Sequence, residues 1–240
     1  MFTNCGNTNL TSISEGLLPA TTLAVGCYSY MFFECINLAS IPEGLLPATT
    51  LTANCYEYMF GNTNLTSIPE GLLPATTLAN NCYSHMFKVC ALTSIPERLL
   101  PATTLADNCY EYMFFGCGNL RSIPEGLLPA TTLANNCYSH MFDSSRLETI
   151  HTGLLPATTL APYCYLSMFA DCWLKTIPWS LLPAQTLANN CYESMFVDNY
   201  SVDEAPRLPA QTLADNCYKH MFQGCNKLAS VSFHGKTIGL

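Results

Sequence analysis

Residues 113–140 read MFFGCGNLRSIPEGLLPATTLANNCYSH, and this phrase returns along the whole chain. Met-Phe stands at 1, 31, 59, 86, 113, 141, 168, 195 and 221, at intervals of 26–30 residues, and uses all 9 methionines. The consensus is Met-Phe, a variable pair, Cys, a short link and Leu-x-x-Ile-Pro, then Leu-Leu-Pro-Ala-Thr-Thr-Leu-Ala-Asn-Asn-Cys-Tyr. Lengths differ by a residue or two just after Met-Phe and around Pro-Glu-Gly, which marks those places as loops. A unit this short cannot enclose its own apolar face, so neighbours must stack and share one core. The reading is a repeat solenoid of leucine-rich-repeat type, with about eight coils of ~27 residues. It forms a single domain over 1–240, opening on a partial repeat (1–30) and closing on a partial or capping repeat (221–240).

Three elements are expected in each unit. The Leu-x-x-Ile pair (Leu65 and Ile68, Leu120 and Ile123, Leu174 and Ile177) forms a short β-strand, ended by a proline that cannot donate to a ladder. A second strand falls on Thr-Thr-Leu, such as Thr76–Leu78. Which threonine faces inward stays open, because Gln185 and Gln211 take the first position in two units. The third element is a short helix over Asn81–Cys90. At helical spacing Cys82, Tyr83, Met86, Phe87 and Cys90 fall on one face, and Ser84, His85, Lys88 and Val89 on the solvent side. Asn before the first Cys reads as the N-cap, and Glu57, Glu111 and Glu193 as partners in a capping box.

The tandem pattern Met113-Phe114-Phe115-Gly116-Cys117 followed by Leu120-Arg121-Ser122-Ile123-Pro124 resembles the BspA-type leucine-rich repeats of bacterial surface proteins, notably of Bacteroidetes. The likeness covers nearly the whole chain, apart from a longer Leu-Leu-Pro-Ala-Thr-Thr insertion. It implies a curved, right-handed solenoid displayed at the cell surface or secreted, and a part in adhesion. The N-terminus shows no signal peptide, having no basic stretch followed by an apolar one.

Composition narrows the function. Apolar residues make up 49% and charged residues 11%, with a net charge of −8 and 9 Lys and Arg. No cation cluster is visible along the sequence, so nucleic acid is not an expected partner. Every apolar run is cut well short of a membrane span, so no insertion is expected. The 14 cysteines invite disulfides, but Cys-x7-Cys pairs such as Cys82/Cys90 would lie two helical turns apart. Reduced thiols packed as small hydrophobes are expected instead. The same packing role accounts for the Cys-x3-Met-x3-Cys stripe, so neither a metal nor any other cofactor is expected.

No nucleophile–base pair, phosphate loop or zinc spacing is present, and Glu43, Glu70, Glu97 and Glu125 form a repeated, solvated edge. The chain is therefore not expected to be an enzyme. The candidate binding residues are Tyr30, Tyr58, His85, Tyr112, His140 and His220, which share one outward position, with Ser167 and Ser194 interrupting the row. Trp179 joins them because it replaces the Glu of Pro-Glu-Gly. The row is either a surface that tolerates aromatics or a contact strip for a protein or glycan ligand. The expected function is a recognition or adhesion module. The alternative is a structural spacer with end-to-end self-association, since an open repeat edge can stack on another molecule.

Overall fold

The computed structural model describes residues 9–233 and 236–239, and in them residues one repeat apart lie side by side. Parallel bridges join Thr50 to Thr77, Thr104 to Thr132, Thr132 to Thr159, Thr159 to Thr186 and Thr186 to Thr212. Tyr28, Tyr56, Tyr83, Tyr110, Tyr138, Tyr165, Tyr192 and Tyr218 form a stack with centroids 5.7–5.9 Å apart. A second core stack of phenylalanines runs beside it from Phe32 to Phe222, at 5.5–5.9 Å. Each such offset pair contributes about 0.5–1.5 kcal/mol beyond its buried area. The Leu-x-x-Ile, Leu-Leu and Ala residues complete the core: Leu65, Ile68, Leu72, Leu73 and Ala75 are all buried.

The expected helix is absent from the described residues, and the segment is a ribbon of overlapping turns instead. Its amides alternate. Cys82, Ser84, Met86 and Lys88 donate back three residues, to Ala79, Asn81, Tyr83 and His85. Asn81, Tyr83, His85, Phe87 and Val89 donate across to Asp107, Cys109, Glu111, Met113 and Phe115 of the next repeat. Every fourth residue has positive φ, here Asn81 (55°), His85 (58°) and Val89 (55°). A positive φ at the third residue of a turn is what the type II geometry requires, and it is incompatible with a continuous α-helix.

Spacing explains why the ribbon wins. Packed helices sit 8–10 Å apart, whereas hydrogen-bonded strands sit at about 4.8 Å. On the ribbon side the core rings of neighbouring repeats lie only 5.5–5.9 Å apart, which leaves no room for a helix in each, and the ribbon keeps backbone hydrogen bonds between neighbours there too.

This corrects the reading of Asn as an N-cap. Asn54, Asn81, Asn108, Asn136, Asn190 and Asn216 all take φ of 52–57°, the left-handed region that Asn enters more readily than most residues. Gly26 and Tyr163 hold the equivalent place in the other two repeats. The capping-box pairing survives in altered form, because Asn190 Nδ2 donates to Glu193 Oε2 inside the ribbon.

The two expected strands per unit are corrected as well. Each Thr pair contributes at most an isolated bridge, since the preceding Pro-Ala supplies only one amide. Both threonines of each pair, Thr76 and Thr77 for example, are exposed. The only regular strands among the described residues are β1 (Ser230–Phe233) and β2 (Lys236–Gly239), an antiparallel hairpin. Phe233 bridges to Leu208 and meets the Tyr218 ring edge-on at 6.2 Å, so the hairpin lies against the last repeat.

The ribbon makes a direct prediction at Ser194, where φ is 54°. Within a helix, Ser194→Gly would lose stability. On the ribbon it should be neutral or gain up to about 1 kcal/mol, while Ser194→Val should lose about 1–2 kcal/mol. Urea denaturation of the three proteins decides.

Candidate functional site

The outward position of the ribbon is the middle residue of positive φ, four after the Asn. It carries Tyr30, Tyr58, His85, Tyr112, His140, Ser167, Ser194 and His220, with φ of 49–58°. Tyrosine and histidine in this region strain the backbone by about 1–2 kcal/mol each. Five of them recover part of that by stacking on one another. Centroids are 4.6 Å apart for Tyr30–Tyr58, 4.1 Å for Tyr58–His85, 4.7 Å for His85–Tyr112 and 4.4 Å for Tyr112–His140, with interplanar angles of 4–14°.

The row is half-buried, and each inner ring has both faces covered by its neighbours. What reaches solvent is its edge. The Tyr58 and Tyr112 hydroxyls have no hydrogen-bond partner among the described residues and stay open to water. Three further side chains pack on the row. Phe33 meets Tyr30 and Tyr58 edge-on at 5.5 and 5.7 Å, and Phe115 meets Tyr112 at 5.5 Å. The Lys88 ammonium lies 5.9 Å from the Tyr58 centroid, 5.5 Å from Tyr112 and 5.1 Å from Phe115. The sequence signal for the two phenylalanines was the second aromatic in Met31-Phe32-Phe33 and Met113-Phe114-Phe115. Gly61, at the matching place, leaves room: a Cβ there would come within 3.1 Å of the Phe33 ring.

Trp179 and His220 are exposed but make no ring contact with the row among the described residues. Ser84, expected on the solvent side, is buried at 2% exposure, and Ser139, at the same place two repeats on, is buried too. The ribbon has a four-residue period with two inward positions and a sheltered third, so one flank of the helical reading turns inward.

Ser84 Oγ lies 2.7 Å from His85 Nδ1, and His140 Nδ1 lies 2.8 Å from Asp143 Oδ2. These pairs belong to different repeats, and the Ser84 hydroxyl is shut away from any substrate, so they do not compose a nucleophile with its base. Burial, the Lys88 charge and His140 lower the His85 pKa to about 3. The imidazole is neutral at pH 7 and works as a flat ring in the stack.

The 13 cysteines of the described residues are free thiols, and burial pushes Cys82 and Cys137 up to about 12. Cys5 lies outside the described residues. The second Cys of each unit has a job the sequence did not reveal. Cys90, Cys117, Cys172 and Cys225 donate to the carbonyls of Phe60, Phe87, Phe142 and Phe196 in the preceding repeat, at 3.1–3.3 Å. Where the thiol is missing, Thr63, Ser145 or Asn199 stands in its place: Asn199 donates to Phe169 of the preceding repeat at 2.7 Å, Thr63 donates to the carbonyl of Phe60 in its own repeat, and Ser145 Oγ lies 3.3 Å from Cys172 Sγ. Among the described residues no group of His, Cys, Asp or Glu is arranged to hold a metal ion. No helix among the described residues is long and apolar enough to cross a membrane.

Comparison with known proteins finds no matching family model, no matching curated protein and no matching solved structure.

The neutral His85 gives a pH test. Its folded pKa lies below the unfolded value, so the unfolded chain binds more protons between about pH 6.5 and 3. The His85 contribution is therefore unfavourable below pH 6.5 and grows as pH falls. Solvent screening of this half-buried ring holds it to about 1 kcal/mol. His85→Tyr, a ring already used at this position, removes that penalty. Its Tm should move above the parent's by about 2–4 °C between pH 7 and pH 4.5, by differential scanning calorimetry.

Proposed function

We propose that the chain is a non-enzymatic recognition module of leucine-rich-type solenoid character, akin to BspA-type surface repeats, that binds a protein or glycan at the cell surface or as a secreted protein. One observation carries this reading: the core columns repeat nearly unchanged, while the outward ribbon positions differ from unit to unit yet are held in fixed register. The Tyr, Met and Phe of the core recur in every described repeat, whereas the outward column changes among Tyr, His and Ser. Packing alone rewards uniformity. A non-uniform, pre-ordered strip of ring edges, hydroxyls and one ammonium suits a specific contact, because little side-chain freedom remains to be lost on binding. Tyrosine enrichment fits contact surfaces generally.

The second reading, a spacer that self-associates end to end, is favoured by one feature. The amides of Tyr218, His220, Phe222 and Gly224 have no backbone partner among the described residues, unlike their equivalents in the other repeats. Such an edge can pair with another chain.

A binding screen against arrayed matrix proteins and glycans tests the first reading. Two variants accompany it. In one, Tyr58, His85, Tyr112 and His140 become Ser; in the other, Tyr58→Phe and Tyr112→Phe keep the stack and remove only hydroxyls. The Ser variant should lose a specific hit at least tenfold while remaining folded, and the Phe variant should weaken it less. Absence of any hit, joined to a mass that rises with concentration in light scattering, would overturn recognition in favour of assembly.

A further inference from the structure

The residue just before the outward row forms a column of its own: Ser29, Glu57, Ser84, Glu111, Ser139, Leu166, Glu193 and Lys219. One neighbouring pair in this column is complete. The Lys219 ammonium reaches Glu193 Oε1 at 2.9 Å from the following repeat, so a cation held one repeat along satisfies a carboxylate here. Glu57 and Glu111 have no such neighbour. The repeats after them carry Ser84 and Ser139 at this place, short side chains buried at 2% and 1% exposure.

Neither carboxylate makes a hydrogen bond or an ion pair among the described residues. Lys88 lies 5.9 and 5.5 Å from the Tyr58 and Tyr112 ring centroids and pairs with neither of them. Two repeat spacings set the two glutamates about 10 Å apart. Burial raises the pKa of both, and at Glu111 the Glu57 charge adds to it, so they sense each other across Ser84. The phenols belong to the same patch: burial, Tyr30, Glu57 and Glu111 push the Tyr58 hydroxyl up to about 12. A half-buried charge without a partner is costly, and a cation brought from outside recovers that cost.

We propose that Glu57 and Glu111 receive two basic side chains of a partner protein, so that the strip binds a segment rich in Arg or Lys. The inference rests on the recognition reading and narrows its ligand from protein or glycan to basic protein, because sugar hydroxyls and carboxylates offer no cation. Lys219 on Glu193 is the contact in miniature. Arginine suits the place best: its planar fork gives a carboxylate two parallel hydrogen bonds and keeps N–H groups for the Tyr58 and Tyr112 oxygens. The net charge of −8 draws such a segment in.

The full chain is titrated with fluorescein-labelled octa-arginine and octa-glutamate peptides, followed by fluorescence anisotropy. Any acidic protein attracts polyarginine, so two variants of equal charge are compared. One carries Glu57→Gln and Glu111→Gln. The other carries Glu43→Gln and Glu125→Gln, on the exposed Pro-Glu-Gly edge. The first should bind octa-arginine about tenfold more weakly than the parent, and the second should match the parent within about twofold. Octa-glutamate should not bind. Ser84→Lys supplies from within the chain the cation that Lys219 gives Glu193, and should also weaken octa-arginine about tenfold. Thermal melting checks that each variant is folded. Equal weakening by the two glutamine variants would overturn the proposal, since it reports bulk charge alone. So would no binding of octa-arginine, equal binding of octa-glutamate, or undiminished binding by folded Ser84→Lys. The recognition reading fails separately, on silence across the arrayed proteins and glycans.

Discussion

The alternation of backbone hydrogen bonds along the ribbon is the constraint on which the rest of the structure depends. A helix would spend every amide within its own segment and meet its neighbour only through side chains. The ribbon spends half of its amides locally and sends the other half to the next repeat. Each residue of positive φ, such as Asn81 or His85, is the local cost of that arrangement. The return is a backbone lattice on the same side as the aromatic core, matched to the spacing of the Thr bridges on the other. Rings then fall in register without further instruction. The tyrosine and phenylalanine stacks follow because each ring is carried at the same place on a backbone bonded to its neighbour.

The same register reaches the surface. Whatever stands at the outward position of one repeat meets the equivalent side chain of the next at stacking distance, so adjacent Tyr and His residues become one continuous slab. A slab built this way presents edges, and its chemistry lies in hydroxyls, imidazole nitrogens and the Lys88 ammonium rather than in open ring faces. More open rings stand elsewhere, at Trp173, Trp179 and Tyr200. The two kinds of surface offer different chemistry: rigid polar edges along the row, and exposed rings at Trp173, Trp179 and Tyr200.

The cysteines show how a repeat can hide a requirement. Viewed as cysteines, the second position is lost in three units. Viewed as small hydrogen-bonding side chains, it is filled by Cys, Thr, Ser or Asn throughout the described repeats. A buried carbonyl left without a donor costs about 1–3 kcal/mol, which is reason enough for the position to be polar inside an apolar core. The thiol meets that need while remaining a small hydrophobe, and burial keeps it protonated.

Much of this was determined by the sequence alone. The period, the set of inward residues (Cys82, Tyr83, Met86, Phe87, Cys90) and the shared outward position of the Tyr and His residues all follow from counting along the chain, because neither the number of residues per unit nor their apolarity depends on backbone conformation. The ribbon was beyond such counting. A four-residue ribbon and a 3.6-residue helix place nearly the same side chains inward over ten residues, and Asn suits both a helix cap and a left-handed turn. Only the neighbouring repeat, by accepting every second amide, decides between them. The surroundings of Trp173 were hidden for the same reason. Arg121, Arg146, Trp173, Lys175 and Tyr200 are spread over four repeats of sequence, and lateral stacking brings them to one place.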